Sequence, residues 1–174
     1  ILNKASDRKQ HERYRKVLGD EIPERLDDFQ ELKYNKPEEW EDLKGFYRYK
    51  IDNPESDKVY YEINKEVTIL KGKGVLNKNI GTAVKPIPVV VQSIDSHAQK
   101  QMLKRSITTD DAKCYIGKAV VMFKQASGEK QAYYSYDGAS VIILDGDILK
   151  TAFPSSWYDN GAKALMEVLK KHGK

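Results

Sequence analysis

Residues 119–153 read AVVMFKQASGEKQAYYSYDGASVIILDGDILKTAF, and this stretch decides the fold. Three dipeptides typical of tight turns interrupt its apolar and aromatic runs: Ser127-Gly128, Asp137-Gly138 and Asp145-Gly146. The spacing predicts strands over 119–125, 131–136, 140–144 and 148–153. Strands joined by such short turns pair antiparallel, so we predict a small antiparallel β-meander that continues into a last strand.

Helical periodicity precedes and follows these strands. Apolar residues recur every three or four positions, which predicts helices over 59–70, 96–105, 109–117 and, as a closing amphipathic helix, from Trp157 to Leu169. Residues 76–84 predict a short helix or a turn-rich stretch, and the proline-bracketed segment 87–91 predicts an edge strand. Helices first, then an antiparallel sheet, then a helix define an α+β fold.

The first fifty residues predict an arm of helices. Gly19 ends a first helix, Pro23 suits the first turn of a second, and Pro37 suits the first turn of a third. A polar segment that contains proline follows and is typical of a linker. We therefore predict a helical arm and linker over 1–52 and an α+β domain over 53–174.

Composition limits the classes of partner and cofactor. Hydrophobic residues make up 40% of the chain and charged residues 32%, and the mean hydropathy is −0.68. The longest apolar run is far shorter than the roughly 20 residues that a membrane span requires, so no membrane partner is predicted. A single cysteine excludes an intrachain disulfide, and the three scattered histidines lack zinc-ligand spacing. We predict neither a metal nor a cofactor.

The net charge of +4 is unevenly distributed. Residues 95–130 contain seven basic and four acidic side chains, whereas 1–50 contain twelve of each and 131–174 contain five of each. Most of the positive excess therefore falls on one segment near the middle of the chain. Such a bias is compatible with a polyanionic partner.

The only histidine in that basic segment is His97. On a helix, His97, Gln101 and Lys104 share one face, and Arg105 lies beside them. An imidazole titrates near pH ~6.5 and can carry a proton, while Lys104 and Arg105 can bind phosphate. The alternative is an ordinary polar helix face whose histidine caps the helix or forms a local hydrogen bond.

The predicted strands supply further polar groups. Lys150 and Thr151 place a cation and a hydroxyl near the end of the last strand, and Tyr134 and Ser135 lie on opposite faces of an earlier strand. Tyrosines on a sheet can stack on RNA bases. They are also ordinary strand residues, and one face of the strand is expected to belong to the core. With His97 and Arg105, these groups can cleave RNA if they converge.

Two segments resemble known families. Residues 97–111, HAQKQMLKRSITTDD, resemble the helix pair of small RelE- and BrnT-like ribonuclease toxins, although Gln101 stands where that pattern has a basic residue. The strands that follow look like the phage-encoded branch of the barnase–EndoU–colicin–RelE-like nuclease group. Residues 32–49, LKYNKPEEWEDLKGFYRY, are similar to a segment of head-morphogenesis proteins of phages and integrated elements.

The resemblance implies the nuclease-like C-terminal domain of a phage or prophage minor head protein, and the start at Ile1 fits a piece of a longer protein. Its activity would be that of a metal-independent, toxin-type endoribonuclease that acts on host RNA by transesterification through the ribose 2′-hydroxyl. The catalytic residues would be His97, Arg105 and Thr151, and the residues that bind RNA or phosphate would be Lys104, Tyr134, Ser135 and Lys150.

An alternative stays open at this stage. The neutral helical arm also suits a non-catalytic structural module of the virion that binds capsid, portal or a host immunity protein. The expected location is the host bacterial cytoplasm, the virion, or both.

Overall fold

The computed structural model describes residues 4–174, which form two compact units that divide between Lys58 and Val59. The sequence pattern predicts this division between residues 52 and 53. Each unit has its own buried side chains. The α+β class predicted from the sequence is confirmed.

The N-terminal unit consists of helices, as predicted. They are α1 (Lys4–Leu18), α2 (Leu26–Asn35) and α3 (Pro37–Asp52), with a 3₁₀ turn at Gly19–Glu21. Pro37 is the first residue of α3, where its missing N–H costs nothing. The prediction for Pro23 was wrong, because α2 begins only after Arg25, which has an extended backbone. The Pro23 carbonyl instead accepts a hydrogen bond from His11 Nε2 at 2.6 Å.

Aromatic rings form the core of this unit. The rings of Tyr14 and Tyr47 stack with centroids 4.0 Å apart, and Phe29 meets Trp40 edge-on at 5.5 Å. Each of these pairs joins two of the three helices. Such contacts add roughly 0.5–1.5 kcal/mol each beyond the burial of the rings.

A buried carboxylate lies beside this core. Asp7 is 1% exposed and accepts hydrogen bonds from Lys33 (2.7 Å), Gln30 (3.0 Å) and the hydroxyl of Tyr34 (3.0 Å). Burial raises the pKa of Asp7, but these hydrogen bonds outweigh it, so the pKa lies below its ordinary value of 3.8. Asp7 therefore ties α1 to α2 as an ionised group.

The C-terminal unit combines one mixed sheet with helices. Its helices are α4 (Lys58–Gly72), α5 (Ser96–Lys104), α6 (Thr109–Gly117) and α7 (Asn160–Lys171), and its strands are β1 (Thr82–Val84), β2 (Ser93–Ile94), β3 (Val121–Gln125), β4 (Lys130–Tyr134), β5 (Gly138–Ile143) and β6 (Ile148–Pro154). The strand order is β1-β3-β4-β5-β6-β2. All neighbours pair antiparallel except β2 and β6, which are parallel.

The sheet is larger than the predicted meander. Strand β1 lies within 76–84, where a helix or turns were predicted, and it pairs with β3. The prediction of an edge strand over 87–91 was wrong, since the described backbone there forms no strand. This segment crosses the sheet, where the hydroxyl of Tyr133 donates to the Ile87 carbonyl. The closing helix begins at Asn160, so Trp157 lies before it in a 3₁₀ turn.

The two faces of the sheet differ in exposure. One face is fully buried and carries Met122, Tyr133, Ser140, Ile142, Leu149 and Ala152. The Ser140 hydroxyl donates to the Ala112 carbonyl, which places α6 over this face. On the opposite face Phe123 in β3 and Ala139 in β5 are buried, but five side chains of β5 and β6 are only half-buried: Val141, Ile143, Ile148, Thr151 and Phe153. We call this half-buried area over β5 and β6 the open face.

The Asp7 cluster leads to a stability prediction. Asp7→Asn keeps the shape of the side chain but removes the charge that Lys33 and Tyr34 bind, so the free energy of unfolding of the N-terminal unit falls by about 2–3 kcal/mol at pH 7. Denaturation followed through Trp40 fluorescence in a Trp157→Phe background measures the loss. Glu24→Gln, which alters an exposed carboxylate, serves as the control and stays within about 0.5 kcal/mol of wild type.

The effect has a defined dependence on pH. Since the pKa of Asp7 is lower in the folded state, its stabilisation is complete above the unfolded value near 3.8 and disappears as the pH falls through the folded value. Wild type and Asp7→Asn therefore converge in acid. A difference between them that persists unchanged at the lowest pH contradicts the ionised assignment.

Candidate functional site

The candidate site is built where α5 replaces a strand at the edge of the sheet. Strand β2 pairs with only Ile148 and Leu149 of β6, after which Asp95 begins α5. The Asp95 backbone N–H donates to the Leu149 carbonyl, and its carboxylate accepts from the backbone N–H of His97. The helix then runs beside the rest of β6. Side chains of α5 therefore meet the edge of β6.

A chain of hydrogen bonds joins the two elements. Arg105 Nη1 donates to Thr151 Oγ1 at 3.0 Å, and the Thr151 hydroxyl donates to Gln101 Oε1 at 3.2 Å. Gln101 Nε2 lies 2.9 Å from His97 Nε2 and donates to it, so the neutral imidazole carries its proton on Nδ1. The predicted catalytic residues His97, Arg105 and Thr151 are thus brought together, with Gln101 as the link.

Arg105 is held in place but keeps donors to spare. The second hydrogen of Nη1 goes to the Ala152 carbonyl at 2.9 Å. A guanidinium has five N–H donors, so three remain on Nε and Nη2, and within residues 4–174 no protein acceptor or carboxylate pairs with them. These remaining donors match the oxygens of a phosphate or carboxylate.

Aromatic rings surround the guanidinium. Its carbon lies 4.9 Å from the ring centre of Trp157 and 5.9 Å from that of Phe153. Trp157 is 56% exposed, which is unusual for so large a hydrophobic side chain. Cation–π attraction at this distance holds the indole beside the charge and leaves a ring face toward solvent.

A small cavity of about 230 Å³ opens beside these groups. Its lining includes Arg105, Tyr134, Phe153, Trp157, Tyr158 and Asp159. Burial, and then the charge of Asp159, raises the pKa of Tyr134, so this hydroxyl is a neutral donor at physiological pH. Tyr158 donates to the Ser135 carbonyl, whereas no hydrogen-bond acceptor for the Tyr134 hydroxyl is found in the described part of the chain. Tyr134 can therefore contact a ligand in this cavity.

The other predicted residues lie elsewhere. Ser135 is buried, and its hydroxyl donates to Gly138 O and accepts from the backbone N–H groups of Asp137 and Gly138, so it maintains the turn rather than the site. Lys104 is exposed on α5. Lys150 is exposed at an irregularity of β6, where it adjoins Lys130 instead of Arg105. Of the predicted binding residues, Tyr134 alone lines the cavity with Arg105.

Three residues of this surface were missed from the sequence: Gln101, Trp157 and Lys130. Gln101 stands where the toxin pattern has a basic residue, and this difference was the one indication in the sequence that Gln101 has a role of its own. Trp157 fits the apolar period of the closing helix, which concealed its position in the turn before it. Lys130 carried no signal, because its position beside Lys150 depends on the pairing of β4, β5 and β6.

No protein family, curated protein or solved structure matches this chain. Within residues 4–174, no helix is long and apolar enough to span a bilayer.

The position of Arg105 predicts a structural contribution. Arg105→Ala removes the donor to the Ala152 carbonyl and to Thr151, and we expect the free energy of unfolding to fall by roughly 1.5–3 kcal/mol. Arg105→Lys keeps a charge but loses the two-pronged geometry, so we expect an intermediate loss. Urea denaturation of the C-terminal unit measures both. Lys104→Ala, an exposed neighbour, is the matched control, and an equal effect in Lys104→Ala and Arg105→Ala contradicts the described contacts.

Proposed function

We propose that the C-terminal unit binds single-stranded RNA at the open face and cleaves it by transesterification, as a toxin-type endoribonuclease that requires no metal. The hydrogen-bonded chain from Arg105 through Thr151 and Gln101 to His97 carries this proposal. It places a cation with free donors, a hydroxyl and an imidazole along one edge of an accessible surface. The resemblance of residues 97–111 to ribonuclease toxins supports the same activity.

Arg105 is assigned to the phosphate. Its three free N–H donors form no ion pair with a carboxylate of residues 4–174, although Asp159 lines the same cavity, so an incoming phosphate does not have to displace an internal ion pair. Thr151 fixes the guanidinium before the substrate arrives, and such preorganisation stabilises charge that develops in the transition state. Lys104, exposed one position before Arg105, adds positive charge on the same helix end.

His97 is assigned to proton transfer. In the tautomer inferred from the Gln101 contact, Nε2 is the proton acceptor, so His97 acts as a base once a ribose 2′-hydroxyl takes the place of the Gln101 amide. The 2′-oxygen attacks the adjacent phosphorus, the bond from phosphorus to the 5′-oxygen breaks, and water protonates that leaving oxygen. The products are a 2′,3′-cyclic phosphate and a free 5′-hydroxyl.

Trp157 and the cavity beside it are assigned to a base. An exposed indole fixed beside an arginine offers a flat surface on which a base can stack, and the Tyr134 hydroxyl can donate to an edge of that base. This part of the site binds nucleic acid whether or not cleavage follows. RNA is therefore the proposed partner of the C-terminal unit.

A binding role without catalysis is the second candidate. His97 is exposed, and its ring contacts the Gln101 amide rather than a carboxylate. In catalytic triads an aspartate carboxylate orients the histidine and stabilises its protonated form, and Gln101 does not supply that charge. This arrangement suits a virion module that binds RNA, capsid, portal or a host immunity protein. The resemblance of the arm to phage head-morphogenesis proteins agrees with a place in the virion or the host bacterial cytoplasm.

Cleavage and its mechanism are tested together. RNA and all-2′-deoxy oligonucleotides of one sequence are incubated with the protein in EDTA, and we expect only RNA to be cut, with a cyclic phosphate end. His97→Ala lowers the rate roughly 10²–10⁴-fold because the base is lost. His172→Gln, which removes the other histidine of the C-terminal unit, leaves the rate nearly unchanged.

Three outcomes separate the candidates. Equal cleavage of both substrates, or full activity in His97→Ala, overturns the mechanism. Binding of RNA without any cleavage favours the second candidate. Cleavage that disappears in EDTA contradicts the absence of a metal requirement.

The role of Trp157 is tested by binding. Trp157→Ala weakens binding of a 2′-deoxy oligonucleotide by about 1–3 kcal/mol, or roughly five- to 150-fold, because one stacked base loses its platform. Trp157→Phe retains part of the affinity. Fluorescence anisotropy with a labelled oligonucleotide measures both variants. Leu103→Ala removes another exposed apolar side chain, 80% exposed on α5, and an equal loss there argues against a specific platform.

A further inference from the structure

The open face extends well beyond Arg105. The pairing of β4, β5 and β6 arranges its side chains in parallel rows across the strands. One row contains Thr151 with Val141, and the row two residues further along contains Lys130 with Ile143 and Ile148. Two residues along a strand span roughly 7 Å, and the two strand spacings from β6 to β4 add roughly 9.5 Å across the sheet. The backbone positions of Thr151 and Lys130 are therefore roughly 12 Å apart on the diagonal, a separation that several nucleotides of a flexible single strand can span.

Two lysines meet at the far row. Lys150 has no partner in β5, because Leu149 pairs with Ile142 and Thr151 pairs with Val141, so Lys150 is an extra residue at a bulge. The nearby Lys150 ammonium lowers the pKa of Lys130. Neither lysine forms an ion pair with a carboxylate among residues 4–174, although Glu129 is close enough to act on Lys130 through its charge.

A basic groove continues from Lys130. This open groove has a volume of about 550 Å³ and lies between residues 78–81 and the β3–β4 hairpin. Lys78, Lys124 and Lys130 line it, and no acidic side chain belongs to its described lining. Two like charges in one groove, Lys78 and Lys130, favour a polyanion there.

We propose that Lys130 and Lys150 form a second phosphate site, and that RNA runs from Arg105 across the open face to the basic groove. The inference rests on the proposed function, because it takes Arg105 as the first phosphate site. It adds a substrate class: a flexible single strand long enough to place two of its phosphates on the protein. Val141, Ile143 and Ile148 provide the apolar floor between the two sites, against which bases or riboses pack.

The test compares ligand length and salt dependence with all-2′-deoxy oligonucleotides, which bind without being cleaved. The Lys130→Ala, Lys150→Ala double variant lowers affinity for an octanucleotide roughly tenfold. It also makes the slope of log K against log salt shallower by about 0.7, since the one phosphate contact of the second site is lost. Binding of a dinucleotide, which has one phosphate, changes less than about threefold.

A matched control removes two other exposed lysines. Lys113→Ala with Lys163→Ala gives the same change in net charge on α6 and α7, and it leaves the salt slope unchanged. Any of four results overturns the second site. These are equal effects in the two double variants, an unchanged salt slope, duplex RNA that binds as tightly as the single strand, and no binding of the octanucleotide. Circular dichroism verifies that each variant is folded.

Failure of the second site can be distinguished from failure of the proposed function. Octanucleotide binding that depends on Lys130 and Lys150 in a protein that cuts no RNA supports the second site and refutes catalysis. Cleavage of RNA that is unaffected by the double variant, together with an unchanged salt slope, supports catalysis and refutes the second site.

Discussion

The C-terminal half of β6 pairs with β5 on one side, but on its other side no strand within residues 4–174 pairs with it. The backbone polar groups of that outer edge therefore need other partners. Strand β2 covers Ile148 and Leu149 and then ends at Asp95. Buried backbone carbonyls that lack partners cost free energy, and uncovered edges invite pairing with other chains. Arg105, just after α5, satisfies the Ala152 carbonyl and so closes the edge. The position of α5 and the location of the candidate site therefore both follow from the place beside β6 where β2 ends.

The same constraint explains why Arg105 can serve both stability and binding. A lysine at this position has a single ammonium and no rigid fork, whereas a guanidinium uses one nitrogen for the edge and presents the others to the open face. Thr151 and Gln101 then extend the fixed geometry to His97. The functional groups are positioned by contacts that the fold itself requires.

Much of this arrangement follows from local sequence. Turn dipeptides predicted the strands of the meander, and periodicity predicted α5 and α6, which fixed His97 and Arg105 on one helix and its end. Pairing between distant segments could not be predicted from local sequence patterns. Strands β1 and β2 are too short to show a period of two, and the proximity of Lys130 and Lys150 depends on a bulge in β6. Trp157 fitted a helical period, but the chain turns at Ser155–Trp157 before α7 begins.

The uneven covering of the sheet bears on what the open face binds. Its buried counterpart has its polar groups satisfied, as the Ser140 hydroxyl bonded to Ala112 demonstrates. The open face instead combines an apolar floor with Arg105 at one end and Lys130 and Lys150 at the other, without carboxylates paired to them. A protein partner with an apolar surface would leave these cations desolvated and unpaired, at a cost in free energy. A single nucleic-acid strand places bases on the floor and phosphates on the cations, which satisfies both parts of the surface.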